Sequence, residues 1–316
     1  MNQPFRLLPE YRDYVWGGDQ LRPGFSPTAE VWAVYENDLV GTGPQAGRSL
    51  GDLAAEQGEL LLGERVLRKT GRRFPLLIKL LDCAQWLSLQ VHPNDEQAVR
   101  LEGAGFFGKT EAWHVLGVEP GAQLIAGMKP GVSAEALSAA IGDGTILSLA
   151  QYLDVRGGDT VFMQPGTIHA LGPGLLIYEV QQSSDLTYRV YDWGRPQTEK
   201  RKLHIEKSLA VSDPQATAPV THVPALADGE RRVVAQCPYF TLELIAAQSR
   251  PVALDTAGQT FHALTVIEGQ AQVTISAGQS WTLGRFETML VPAACGAYQL
   301  EPVGSFRALK ASVELD

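Results

Sequence analysis

Short apolar runs stopped repeatedly by Gly or Pro dominate this sequence, and they restrict it to a strand-and-turn architecture. The 32 Gly and 19 Pro are scattered along the chain and read as turns, not as low complexity. Strands are expected at 29–35, 76–81, 87–91, 111–116, 123–126, 147–154, 160–163 and 175–181. Helices are expected where a capping residue opens a different pattern: Ser49–Gln57, Asn94–Glu102 and Ser133–Ile141. A Pro/Ala/Thr-rich connector from about Pro214 to Glu230 precedes a second strand-rich block at 240–247, 263–268, 271–276, 288–292 and 297–301. Within it, VIEGQAQVTI (Val266–Ile275) carries a hairpin signal, two β-branched runs around a Gly-containing turn. Many short strands at regular spacing predict antiparallel sandwiches or barrels. The expected organisation is two β units, residues 1–230 and a smaller 231–316.

Charge and cysteine content exclude several function classes. A net charge of −9 disfavours nonspecific nucleic-acid binding, which needs a basic footprint. The 3 cysteines are far apart and form no CxxC, so neither a disulfide framework nor a thiolate zinc site is expected. No signal peptide or membrane span is visible: the most apolar stretch, Phe74–Val91, is broken by Lys79, Asp82 and Gln85. These features predict a cytoplasmic protein with no membrane partner.

Four segments concentrate the chemistry. In Leu87-Ser-Leu-Gln90-Val-His92-Pro93, strand alternation sends Gln90 and His92 to one face and Leu89 and Val91 to the other. Two polar side chains aimed inward need a partner to offset their desolvation, either a hydrogen-bonded core neighbour or a metal ion. Gly108-Lys109-Thr110-Glu111-Ala112-Trp113 puts Lys109 and Glu111 on one face. Pro165-Gly166-Thr167-Ile168-His169 is a turn that delivers a histidine into a strand. Leu175–Arg189 buries Glu179 in an apolar run and presents Arg189 soon after. Together His92, Glu111 and His169, with Gln90 as a neutral fourth, form a nitrogen-and-oxygen ligand set. Two imidazoles and a carboxylate suit an open Zn²⁺ site, and equally the facial triad of a non-haem Fe(II) oxygenase.

The stretches Tyr14-Val-Trp-Gly-Gly18, Phe74–Leu81, Leu87–Asp95, Gly108–Trp113, Gly166–Ala170 and Tyr188–Trp193 resemble, in order, the type I mannose-6-phosphate isomerase (phosphomannose isomerase) family in its short bacterial form. That resemblance implies a mainly β cupin fold: an antiparallel jelly-roll barrel with short helical insertions and a second, smaller β-barrel domain. It also implies one Zn²⁺ per chain, with the family's metal ligands falling on Gln90, His92, Glu111 and His169. The family's active-site arginine falls on Arg189, and Lys109 and Glu179 match positions lining its pocket. The sequence departs from general cupin spacing at Gln164, where a proline usually precedes the metal histidine, and in the insertion between His92 and Glu111. The second block has no histidine in its corresponding turn, Val291–Ala297, so His262 stands without companions and a structural role is expected there.

The implied reaction is zinc-dependent interconversion of mannose 6-phosphate and fructose 6-phosphate through an enediol(ate), by a monomer or homodimer. Glu179 is the first candidate for proton transfer, since burial raises a carboxyl's proton affinity, with Lys109 second. Arg189 would stabilise the enediolate or orient the substrate. The basic stretch Arg195, Lys200, Arg201 and Lys202 either faces water or meets the substrate phosphate. Two other classes fit the same residues: an Fe(II)-dependent cupin oxygenase, and a non-catalytic cupin that binds sugar phosphates.

Overall fold

The computed structural model describes residues 1–25, 27–199 and 201–314; Lys200 of the basic stretch lies outside them. The chain forms two compact units: Met1–Glu10, Val31–Leu80 and Val223–Asp316 in one, Tyr11–Glu30 and Leu81–His222 in the other. Residues 31–80 therefore belong with the C-terminal strands, and the division is not a single cut along the chain.

The N-terminal stretch supplies β1 (Glu10–Arg12), β2 (Glu30–Val34), α1 (Leu50–Leu62), α2 (Glu64–Thr70) and β3 (Leu76–Cys83). Ser49 caps α1 by accepting the Asp52 N–H, as its sequence predicts. The helix outruns its expected end at Gln57 because Leu61 and Leu62 are also buried; after Gly63, α2 follows without a sequence signal of its own.

The unit built around 81–222 contains β4 (Leu89–Val91), α3 (Asp95–Glu102), β5 (Glu111–Val118), β6 (Gln123–Met128), α4 (Ala134–Asp143), β7 (Ala150–Asp154) and β8 (Thr160–Met163). It continues with β9 (His169–Leu171), β10 (Leu175–Gln182), β11 (Tyr188–Tyr191), α5 (Ile205–Val211) and β12 (Val220–Thr221). The strand expected from Leu147 begins only at Ala150, because Ile146–Ser148 close into a 3₁₀ turn. Strands β10, β5, β8 and β12 run side by side in one antiparallel sheet, and β11, β4, β9, β6 and β7 form a second. Most of these neighbours are distant in sequence, such as β4 with β9 and β11, and β5 with β8 and β10. That is the crossed connectivity of a jelly roll.

Alternation sorts the side chains of these strands. Leu89 and Val91 of β4 pack with Ile125, Met128 and the α4 residues Leu137, Ala140 and Ile141. A separate apolar cluster contains Trp113 and Val115 of β5, Leu124 of β6, Leu171 of β9, and Leu175 and Ile177 of β10. Glu111, two residues before Trp113, and His169, two before Leu171, share the faces of that cluster. Helix α3 starts immediately after this polar region. Its Asn94 side chain accepts the Gln97 N–H while the Gln97 side chain accepts the Asn94 N–H, a reciprocal capping box.

The C-terminal strands of the other unit are β13 (Glu230–Gln236), β14 (Thr241–Ala247), β15 (Val252–Asp255), β16 (His262–Ile275), β17 (Ser280–Leu283), β18 (Thr288–Val291) and β19 (Ala297–Ser312). Their order is β13-β14-β19-β16-β17, with β15 beside β19 and β18 beside β16. The hairpin expected within Val266–Ile275 does not form. Instead β16 runs unbroken along β19, and the register shifts at Val266/Glu268 and Gly269/Ala271 absorb the glycine as a bulge. Gly269 holds φ 68° there, and a β-carbon at that position would lie 2.0 Å from the Ser305 carbonyl oxygen. Gly269→Ala is expected to cost about 2 kcal/mol or more through strain and clash, measured as a lowered denaturation midpoint.

Candidate metal centre

Three adjacent strands deliver the polar groups. Gln90 on β4 lies directly opposite His169 on β9 and, on its other side, opposite Arg189 on β11. Residues paired across neighbouring antiparallel strands share a face, so Arg189, Gln90 and His169 project together. His92, two residues beyond Gln90, joins them. Glu111 opens β5 in the sheet of β10 and β8, where Gln181 and Met163 flank it.

His92, Glu111 and His169 are all buried, and their ligand atoms lie within 4.8 Å of one another, close enough to hold one metal ion. The two imidazoles are oriented by main-chain carbonyls. The Nδ1 of His92 donates to the Leu186 oxygen at 2.8 Å, and that of His169 donates to the Thr167 oxygen at 2.8 Å. A carbonyl only accepts, so each Nδ1 carries the proton and each Nε2 presents a lone pair. Those two Nε2 atoms are 3.1 Å apart, and Glu111 oxygens approach them at 3.3 Å (His169) and 3.7 Å (His92). Two neutral imidazoles with fixed tautomers and a carboxylate converge in this buried pocket, an arrangement suited to a metal ion, and the Lys109 ammonium reaches both the His92 Nε2 and the carboxylate. Burial first, then the Lys109 charge, pushes the His169 imidazolium down to about 3, so the ring stays neutral and able to ligate. The Gln90 amide nitrogen reaches the His169 Nε2 at 3.4 Å, at the edge of the cluster.

Lys109 and Glu179 adjoin this group. The buried Lys109 ammonium donates to Glu111, contacts the His92 Nε2 at 3.1 Å and lies 3.9 Å from Glu179. The Glu179 carboxylate accepts the Trp113 indole N–H at 2.8 Å. Trp113 is a member the sequence reading left without a role, although period-two alternation already placed it on the face of Glu111. Its register partner across β5 and β10 is Glu179 itself.

The basic residues after β11 separate by partner. Asp192 engages both Arg195, at 3.2 Å, and Arg201, through two hydrogen bonds of 3.0 and 2.6 Å. Arg195 also donates to the Gln85 side chain and the Trp86 carbonyl. Lys202 is exposed beside Glu199. Arg189 donates to the Lys202 carbonyl from one terminal nitrogen, while its Nε has no hydrogen-bond partner among the described residues. Burial and the neighbouring Arg201 lower the Arg189 pKa somewhat from its usual value.

Titration with Co²⁺ is expected to give a visible absorption band that saturates at one ion per chain. His92→Ala and His169→Ala should each weaken binding by at least about 100-fold, since even outer-shell changes at metal sites cost 10–100-fold.

Comparison with known proteins agrees with this architecture. Residues 5–105 match the family model of the phosphomannose isomerase type I catalytic domain. A mannose-6-phosphate isomerase of Streptococcus mutans is 34% identical over 314 residues, covering 95% of this chain and 96% of that protein. The mannose-6-phosphate isomerase ManA of Bacillus subtilis is 32% identical, covering 95% and 96%. The crystal structure of a mannose 6-phosphate isomerase from Bacillus subtilis superposes with a TM-score of 0.84 at 28% identity, covering 98% of this chain and 99% of that one. With relatives this similar along nearly its whole length, the chain belongs to the type I phosphomannose isomerase family.

Proposed function

We propose that the protein interconverts mannose 6-phosphate and fructose 6-phosphate, using one Zn²⁺ held by Gln90, His92, Glu111 and His169. The observation that carries this reading is the convergence of two neutral imidazole Nε2 atoms and a buried carboxylate beside a second buried carboxylate, Glu179. The first group suits a Lewis acid, and the second suits proton transfer. Turning the Gln90 amide by 180° offers its oxygen where Nε2 now stands, which makes it a neutral fourth ligand. Within the expected 1–230 domain, the unit of residues 11–30 and 81–222 carries the catalysis, and 231–316 belong to a unit without metal ligands. The free thiols of Cys83, Cys237 and Cys295 agree with a cytoplasmic location.

Aldose–ketose isomerisation moves a proton between C1 and C2 and develops negative charge on the intervening oxygens. A bound divalent ion supplies Lewis acidity toward the carbonyl and a template for the adjacent oxygen. Glu179 takes the proton from one carbon and returns it to the other, held in place by the Trp113 indole. Lys109 sets one positive group against the two buried carboxylates it touches, Glu111 and Glu179. Arg189 shares the face of Gln90 and His169, where its guanidinium would stabilise developing enediolate charge or orient the substrate. Arg195 and Arg201, both engaged by the single carboxylate of Asp192, brace this turn.

The test is turnover on a panel of hexose phosphates before and after chelation. Activity on mannose 6-phosphate should vanish on metal removal and return with Zn²⁺; iron with oxygen uptake would favour the oxygenase, and binding without turnover a sensor. Glu179→Gln should lower kcat by about 10²–10⁴-fold with metal content unchanged, and near-normal turnover would refute the base assignment. Trp113→Phe removes one hydrogen bond to a charged group, so kcat should fall about 10–100-fold while KM changes little.

A further inference from the structure

The C-terminal strands and α2 line an open polar cavity of about 270 Å³, within a single compact unit. This volume falls just below the ~300–1,000 Å³ of pockets for drug-sized ligands and accommodates a molecule of monosaccharide size. His262, at the start of β16, lines it and is only 2% exposed. The His262 Nδ1 is engaged by the Tyr298 hydroxyl at 2.7 Å, whereas its Nε2 has no hydrogen-bond partner among the described residues. A polar atom in a cavity wall that meets no protein group is open to a ligand or solvent partner.

The lining charges restrict what that partner is. Arg65, Arg231 and Lys310 are balanced in number by Glu243, Asp255 and Glu314. The buried Lys310 ammonium pairs with Glu243 and, at 2.7 Å, with Glu314, while Arg231 stands 3.9 Å from Glu243. An anion here would adjoin three carboxylates and a cation three basic groups, and either would disturb the ion pairs around Lys310. Burial first, then Lys310 and Arg231, lowers the His262 pKa well below its ordinary value, which keeps the ring uncharged. The phenol can donate to Nδ1 or accept from it, so Nε2 can be donor or acceptor. A hydroxyl matches both cases because it donates and accepts.

We infer that this cavity is a binding site for a small, uncharged polyhydroxylated molecule, with His262 Nε2 as its central hydrogen-bonding contact. The site involves none of the residues of the metal centre and stands independently of the proposed isomerase reaction.

The test follows the histidine Cε1–H signals of the metal-loaded protein by NMR, with the His262 signal identified by its loss in His262→Asn. Mannitol and glycerol serve as neutral polyols, inorganic phosphate as the anion and glycine as the zwitterion. Mannitol is expected to shift the His262 signal saturably, and phosphate and glycine to leave it unmoved. Gln259→Trp, which fills the half-buried rim of the cavity, should abolish the shift with turnover preserved within about twofold; this variant carries the test if His262→Asn fails to fold. A larger response to phosphate or glycine, no saturable shift with any probe, or persistence of the shift in Gln259→Trp would overturn the inference.

Discussion

Two backbone carbonyls, those of Leu186 and Thr167, determine what the centre of this protein can do. By accepting the Nδ1 protons of His92 and His169 they fix both tautomers, and thereby aim two lone pairs at one point. A free imidazole exchanges tautomers readily, and either ring turned over would put a proton where a metal ion would have to bind. The strand pairings matter because they bring these carbonyls into place: β4 against β9 for one histidine, β5 across from β10 for the carboxylate that completes the group. Cupin connectivity is one way of collecting three candidate ligands from remote parts of a chain.

Electrostatic balance is the second requirement. Glu111 and Glu179 are both buried, and two adjacent carboxylates in a low-dielectric setting disfavour each other's ionisation. Lys109 reaches both, and the Trp113 indole supplies a donor to Glu179 that carries no charge. Around Asp192 one carboxylate likewise gathers two cations, Arg195 and Arg201.

Much of this centre was legible before any coordinates. Alternation in LSLQVH placed Gln90 and His92 on one face, and the GTIH turn pointed His169 into a strand. What the chain could not reveal by pattern were non-local partners. Nothing near Leu186 marks its carbonyl as a brace for His92, and nothing near Trp113 says that Glu179 stands across from it, because register between strands more than sixty positions apart is settled by packing. Likewise Asp192 is the residue that decides whether Arg195 and Arg201 meet ligand or one another, and the sequence does not name their partner. The expected hairpin at Val266–Ile275 erred for a related reason: a glycine between β-branched runs marks either a turn or a bulge. The long partner strand β19, expected to end at Glu301 but running to Ser312, selected the bulge. Membership of residues 31–80 with the distant C-terminal strands has no local signature at all.

The brace at Leu186 has a consequence for how this chain can vary. It sits in the loop from β10 to β11, between Glu179 and Arg189, so one short segment holds a histidine while spacing two other groups of the pocket. Adding or deleting even one residue there would rotate the histidine and shift the arginine simultaneously. Homologous chains can therefore be expected to accumulate length changes in surface connections such as the one before β13, and to keep the span from Glu179 to Arg189 constant.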